Sequence, residues 1–189
     1  MTRPTSDLAT EIAPQSQDHG SRRIRLREFQ AQLVERMQAV SSGAQTQASQ
    51  LGVMIGQSRW LLNLQEAGEI ASVGAITPVP LTQDWYLGLT NIRGNLISVI
   101  DLARFRGMPL TPVDKESRIV AFAPALGFNS GLLVSRVMGL RNVREMQLLP
   151  QVDSVTWASQ RYADREDQVW TELNLSLIVQ DPQFLHVGL

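Results

Sequence analysis

The chain has the length and composition of one globular domain with a short extension. Its 189 residues are 43% hydrophobic and carry a formal net charge of −1, which supports a buried core and does not favour a nucleic-acid partner. The chain contains no cysteine, its first twenty residues are polar, and no long apolar run is present. We therefore expect a cytoplasmic protein without disulfides, a secretory signal or direct membrane insertion.

The first fifty residues fall into three segments of different composition. Residues 1–21 are rich in Thr, Ser, Gln, Pro and Asp and predict a disordered tail. Residues 22–40 predict an amphipathic helix because apolar residues recur every three or four positions, at Leu26, Phe29, Leu33, Met37 and Val40. This apolar stripe packs on the chain's own body or docks a partner, and both alternatives stay open. Residues 41–50 are Ser/Gly/Gln/Ala-rich and predict a linker, so the folded body is expected over residues 51–189.

From residue 51 onward the pattern is one of short strands separated by turns. Residues 51–55 and 60–64 flank a polar turn, and residues 119–123 and 131–134 repeat that arrangement. Several short strands at this spacing predict an all-β fold of paired small barrels or a sandwich. The last predicted element is a short helix within residues 176–187, which Pro182 either interrupts or begins.

The most distinctive segment is residues 88–102, which reads GLTNIRGNLISVIDL. Two apolar, strand-length runs, residues 87–92 and 96–100, predict a β-hairpin. We assign its turn to Gly94 and Asn95, because both residue types tolerate the positive φ that a tight primed turn requires. This assignment places Arg93 at the rim of the hairpin.

The sequence offers little that could carry catalysis. His19 and His186 have no spaced partner for a metal or a nucleophile, and Gly-x-Ser-x-Gly and Walker motifs are absent. Asp101 could pair with Glu69, but we interpret it as a strand-end residue that binds loop amides. Enzymatic activity is therefore not expected, and a hydrolase that uses scattered carboxylates is the least favoured of the functional classes considered.

Residues 51 to about 187 resemble the CheW-like domain, the adaptor module of bacterial chemosensory systems. Residues 88–102 follow the family pattern Gly-Val-x-Asn-Leu-Arg-Gly, two or three apolar residues, then Pro-Val-x-Asp-Leu. Glu69-Ile70, nineteen residues before Gly88, and the later segment 131–137 add weaker support.

The chain departs from the family pattern at two positions, and its N-terminus resembles one branch of the family. Ser98 stands where the family usually has proline, and Arg136 occupies or adjoins the position of a common acidic residue. The N-terminal extension resembles that of the pilus-linked PilI branch more than the flagellar adaptor.

The resemblance implies two five-stranded SH3-like barrels around a shared core, with an N-terminal helical extension and a short C-terminal helix. It implies a scaffold without enzymatic activity or cofactor. That scaffold would couple the cytoplasmic tip of a methyl-accepting chemoreceptor to the regulatory domain of a CheA-type histidine kinase. The two-component output would be chemotaxis or type IV pilus twitching motility, at receptor arrays.

The resemblance also nominates site residues. Gly88 and Arg93 match positions at the receptor-facing groove of the family, and Glu69 matches a nearby acidic position. Alternatively, Arg93 pairs internally with Glu69 or Asp101 and only stabilises the hairpin; both interpretations stay open. The competing functional class is a small β-barrel binding module for an unrelated protein or nucleic-acid ligand.

Overall fold

A computed structural model of the chain describes residues 49–150 and 155–189. The predicted tail, amphipathic helix and most of the linker, residues 1–48, lie outside the described residues. The strands are β1 Ser49–Ile55, β2 Ser58–Asn63, β3 Ala67–Ser72, β4 Tyr86–Ile92, β5 Asn95–Ile100, β6 Arg118–Phe122, β7 Ser130–Val134, β8 Arg136–Asn142, β9 Gln147–Leu149, β10 Ala158–Ala163 and β11 Val169–Leu173. The α-helices are α1 Leu102–Phe105, α2 Leu175–Ile178 and α3 Pro182–Leu185, and 3-10 turns span Pro124–Leu126 and Val143–Glu145. Strand β1 begins at Ser49, two residues before the folded body was expected to begin.

The strands form two sheets, as expected for an all-β fold of paired barrels. One sheet has the order β8-β1-β2-β11-β10-β9 and the other β3-β6-β7-β5-β4. The first sheet has six strands, whereas five were expected. The difference arises at the 3-10 turn Val143–Glu145, which separates β8 from β9 and leaves them at opposite edges of the sheet.

The five-stranded sheet closes on itself. Its edge strands are β3 and β4, and the chain just beyond β3 reaches β4 through two backbone hydrogen bonds between Thr77 and Leu89, of 2.8 and 2.9 Å. The Thr90 hydroxyl adds a 2.9 Å bond to the carbonyl of Ala75. These bonds satisfy the backbone groups of an edge strand and make a small barrel. The interior of the barrel holds a cluster of buried residues, namely Ile92, Ile97, Val99, Ile119 and Leu133.

A larger apolar core joins the two sheets, and α3 completes it. Phe184 of α3 lies 5.8 Å from Trp85 and 5.7 Å from Phe105, measured between ring centroids. Pro182 occupies the first turn of α3, where a missing N–H is tolerated, so the predicted terminal helix is two short helices and Pro182 begins the second. All four tryptophans are buried, at Trp60, Trp85, Trp157 and Trp170.

Candidate functional site

The turn between β4 and β5 consists of Arg93 and Gly94, which corrects the prediction of Gly94 and Asn95. Arg93 has φ 51° and Gly94 has φ 88°, as a type I′ turn requires at its two central positions. Asn95 is already a strand residue and pairs with Ile92. The Asn91 side chain accepts a 2.8 Å hydrogen bond from the Gly94 amide. This bond closes a turn that begins one residue earlier than predicted, with Arg93 at its tip.

Arg93 forms an ion pair with Glu69 across the closure of the barrel. The Arg93 Nε lies 2.8 Å from Glu69 Oε1, and the two side chains are 81% and 34% exposed. Glu69 belongs to β3, whereas Arg93 belongs to the β4–β5 turn, so the pair joins the two edges of the five-stranded sheet. Of the two internal partners considered for Arg93, Glu69 is the one it contacts. The arginine nevertheless keeps most of its surface in solvent, so the pair itself is worth at most about 1 kcal/mol.

Gly88 is buried, and the backbone that approaches it belongs to the same chain. Its φ is 127°, and a Cβ built on it would lie 2.1 Å from the Thr77 carbonyl oxygen and 2.9 Å from the Pro78 Cα. A shift in register between Tyr86 and Gly88 accompanies this close approach. The match of Gly88 to the receptor-facing groove of the family stays a prediction. Within the chain, Gly88 allows the Thr77 backbone to lie against β4.

Asp101 has the structural role that the sequence predicted. It is fully buried and caps α1, accepting hydrogen bonds from the amides of Ala103 at 3.0 Å and Arg104 at 3.3 Å. It also accepts bonds from the Thr111 amide at 2.6 Å and the Thr111 hydroxyl at 2.8 Å. Asp101 therefore holds the loop after α1 against the end of β5. The partner Thr111 was not predicted, because nothing in the local pattern links residues ten apart in a loop.

Each departure from the family pattern has a specific partner in the structure. The Ser98 amide donates a 2.9 Å bond to the Asn129 carbonyl, which a proline could not do, and its hydroxyl shares a 3.0 Å bond with Tyr86. Arg136 forms an ion pair with Glu116, both side chains being about half exposed. The unusual cation is therefore matched by an acid that the chain itself supplies.

The acidic segment near residue 164 is a turn capped by the Asp164 side chain. Burial raises the pKa of Asp164, but hydrogen bonds from the Trp170 indole and from the Gln168 and Glu166 amides outweigh it and leave the pKa below its ordinary value. Within the described part of the chain, no three His, Cys, Asp or Glu side chains are grouped so that they could hold a metal ion. None of the helices in the described ranges is long and apolar enough to span a membrane.

A cavity beside Trp60 was not predicted from the sequence. It has a volume of about 460 Å³ and lies between the β1–β2 turn and the loop after α1. Met108 and Leu110 line it and are 53% and 55% exposed, and the Arg106 guanidinium lies 5.1 Å from the centre of the Trp60 ring. The only local signal was an apolar Met-Pro-Leu run inside a connecting loop.

Comparisons with known proteins give matches to one family. The family model described as the CheW-like domain matches residues 49–183. The chain is 26% identical to Protein PilI of Pseudomonas aeruginosa over 167 residues, which cover 87% of this chain and 90% of PilI. It is 37% identical to Chemotaxis protein CheW of Thermotoga maritima over 73 residues, which cover 39% and 47% of the two chains. The crystal structure of the scaffolding protein TtCheW from Thermoanaerobacter tengcongensis has the same fold, with a TM-score of 0.58 and 22% identity over 68% of this chain and 84% of that one.

Proposed function

This chain belongs to the CheW-like domain family, and from that premise we propose that it is a non-enzymatic adaptor of a chemosensory array. In this role it couples the cytoplasmic tip of a methyl-accepting chemoreceptor to the regulatory domain of a CheA-type histidine kinase. Similarity to Protein PilI over most of both chains supports an array that controls type IV pilus twitching motility. The proposed location is the cytoplasmic side of the membrane that carries the receptors.

The observation that carries the receptor-facing part of this proposal is the exposed Arg93 at the tip of a rigid turn. Glu69 contacts Arg93 Nε, and the Arg93 side chain is still 81% exposed. Such a group is suited to carbonyl or carboxylate acceptors on a partner helix. Gly88 contributes indirectly, because it allows the close backbone contact that holds β4 in place.

Reconstitution tests the proposed function directly. The full chain is mixed with a CheA-type kinase and receptor in membranes, and complex formation and kinase autophosphorylation are measured with and without it. We expect the chain to join receptor and kinase in one complex and to change the autophosphorylation rate. Retention of neither partner at micromolar protein would refute the adaptor function and favour a binding module for an unrelated ligand.

A further inference from the structure

The turn between β4 and β5 holds Arg93 in a backbone conformation that most side chains avoid. Among the residues that the structure describes, three other than glycine have a positive φ, namely Leu81, Arg93 and Asp167. Aspartate enters this region readily because its short polar side chain bonds the local backbone, whereas arginine lacks that compensation. Arg93, at φ 51°, is therefore strained. Strain of this kind persists where the surrounding structure holds it, and it is concentrated at functional sites.

A less strained turn is compatible with the same two strands. A two-residue turn at Gly94 and Asn95 uses residue types that adopt a positive φ more readily, and it would leave Arg93 in β4. It would pair Ile92 with Ile97 instead of with Asn95, which is a shift of two residues. Because the side chains of a strand alternate with period two, that shift keeps the same faces of β4 and β5 buried. The burial pattern therefore does not select the observed turn.

Asn91 supplies a contact that is specific to the observed turn. Its side-chain oxygen accepts a 2.8 Å hydrogen bond from the Gly94 amide. In a turn at Gly94 and Asn95, the segment from Asn91 to Arg93 would be extended strand. The Gly94 amide would then lie about 10 Å along the strand from Asn91, beyond the reach of its side chain. The hydrogen bond therefore stabilises the turn that contains the strained arginine and not the alternative.

The observed turn presents Arg93 in a defined position. Arg93 Nε lies 2.8 Å from Glu69 Oε1, and the arginine side chain is still 81% exposed. The strand pairing of Ile92 with Asn95 fixes the backbone on both sides of the turn, and the bond from Gly94 to Asn91 fixes its tip. A group held in this way loses little conformational entropy when it binds a partner.

We infer that Asn91 is a positioning residue for the receptor contact: it selects the turn that holds Arg93 at the tip, in a strained conformation that the hairpin would otherwise avoid. This inference deepens the proposed function and rests on it. Asn91 acts through Arg93, because its side-chain oxygen already accepts the bond from the Gly94 amide. The strain lowers the stability of the hairpin, and it places a pre-organised guanidinium where a carbonyl or carboxylate can reach it.

The first test separates stability from receptor control at position 93. Arg93→Asn places asparagine before Gly94, which is the preferred pair for a type I′ turn, and is expected to raise the thermal midpoint by about 2 °C. The same variant should lose receptor-dependent control of the kinase, because it has no guanidinium. A lower thermal midpoint, or retained receptor-dependent control, would overturn the inference.

The second test concerns Asn91 directly. The full chain is titrated into membranes that contain a methyl-accepting receptor and a CheA-type kinase, and the concentration for half-maximal receptor-dependent control is measured. Asn91→Ala is expected to raise that concentration about fivefold, the factor that corresponds to one net hydrogen bond. Asn91→Asp keeps an accepting oxygen and should stay within about twofold of the unaltered protein; an aspartate variant as weak as the alanine variant would overturn the inference.

Asn95→Ala is the matched control for Asn91→Ala. Asn95 is an exposed asparagine on the other side of the same turn, so its half-maximal concentration should stay within about twofold of that of the unaltered protein. In ¹⁵N-labelled protein, the Nε–H signal of Arg93 provides a readout of its pair with Glu69. Asn91→Ala is expected to shift this signal, whereas Asn95→Ala is expected to leave it in place.

The outcomes distinguish the inference from the function on which it rests. An unmoved Arg93 signal in Asn91→Ala, or a half-maximal concentration equal to that of the unaltered protein, would overturn the inference and leave the adaptor function standing. Absence of receptor-dependent control with the unaltered protein would instead overturn the proposed function and the inference with it.

Discussion

Gly88 lies against the carbonyl of Thr77 so closely that a methyl group at position 88 would stand 2.1 Å from the Thr77 oxygen. The next residue, Leu89, exchanges two backbone hydrogen bonds with Thr77. A glycine of the family motif thus has a structural role inside the molecule, where it allows the barrel to close.

Gly88→Ala is expected to destabilise the fold by about 3 kcal/mol or more, because the new methyl group forces the Thr77 backbone away and also strains a positive φ. Urea unfolding followed by circular dichroism measures the loss. Gly94→Ala is the matched control: φ is also positive there, but no atom beyond the adjacent residues lies within 4 Å of the added carbon, so about 1 kcal/mol is expected. Equal losses of unfolding free energy in the two variants would show that the contact with Thr77 does not account for the cost of Gly88→Ala.

Arg93→Glu is expected to leave stability within about 1 kcal/mol, since the ion pair with Glu69 is largely solvated. Receptor-dependent control of the kinase should be lost, because the proposed receptor contact is made by the Arg93 guanidinium itself. The double variant Arg93→Glu, Glu69→Arg separates the two roles of the arginine. The double variant restores an ion pair with reversed polarity, so receptor-dependent control of the kinase should still be absent. Recovery of that control, or global unfolding of the single variant, would show that the ion pair has only a structural role.

Asp101→Asn is expected to lower the free energy of unfolding by about 2–3 kcal/mol, because the buried carboxylate accepts bonds from three amides and one hydroxyl. Thr111→Val removes only the hydroxyl bond and should cost about 1 kcal/mol. Amide hydrogen exchange provides a local readout, since Asp101→Asn should speed exchange at Thr111 and Ala103. Unchanged exchange at both amides would show that Asp101 does not hold the loop.

Ser98→Pro, which restores the residue usual in the family, is expected to destabilise this chain by about 1–3 kcal/mol. The proline removes the amide that donates to Asn129 and the hydroxyl that contacts Tyr86. Ser98→Ala keeps the amide and should lose about 1 kcal/mol or less. Thermal unfolding compares the two; a proline variant as stable as the alanine variant would mean that the Asn129 bond contributes nothing.

The local sequence pattern was sufficient to predict those features that depend on residues close together in the chain. The two apolar, strand-length runs within residues 87–100 predicted the hairpin, and the position of Asp101 at a strand end predicted that it would bind loop amides. The predicted turn lay one residue too late in the chain, because several residues near the tip can adopt a positive φ. The bond from the Gly94 amide to Asn91 selects between the two registers, and residue preferences alone do not reveal that bond.

The sequence by itself determined the all-β class, the family motif and the absence of any recognisable catalytic motif, because these depend on short-range periodicity and residue type. Only the tertiary structure decided which residues meet. Closure of the barrel brings Thr77 onto Gly88 and Glu69 onto Arg93, and packing of the loop after α1 against β2 makes the cavity beside Trp60. Such contacts join residues that lie far apart in the chain, so their energies leave no local pattern from which they could be predicted.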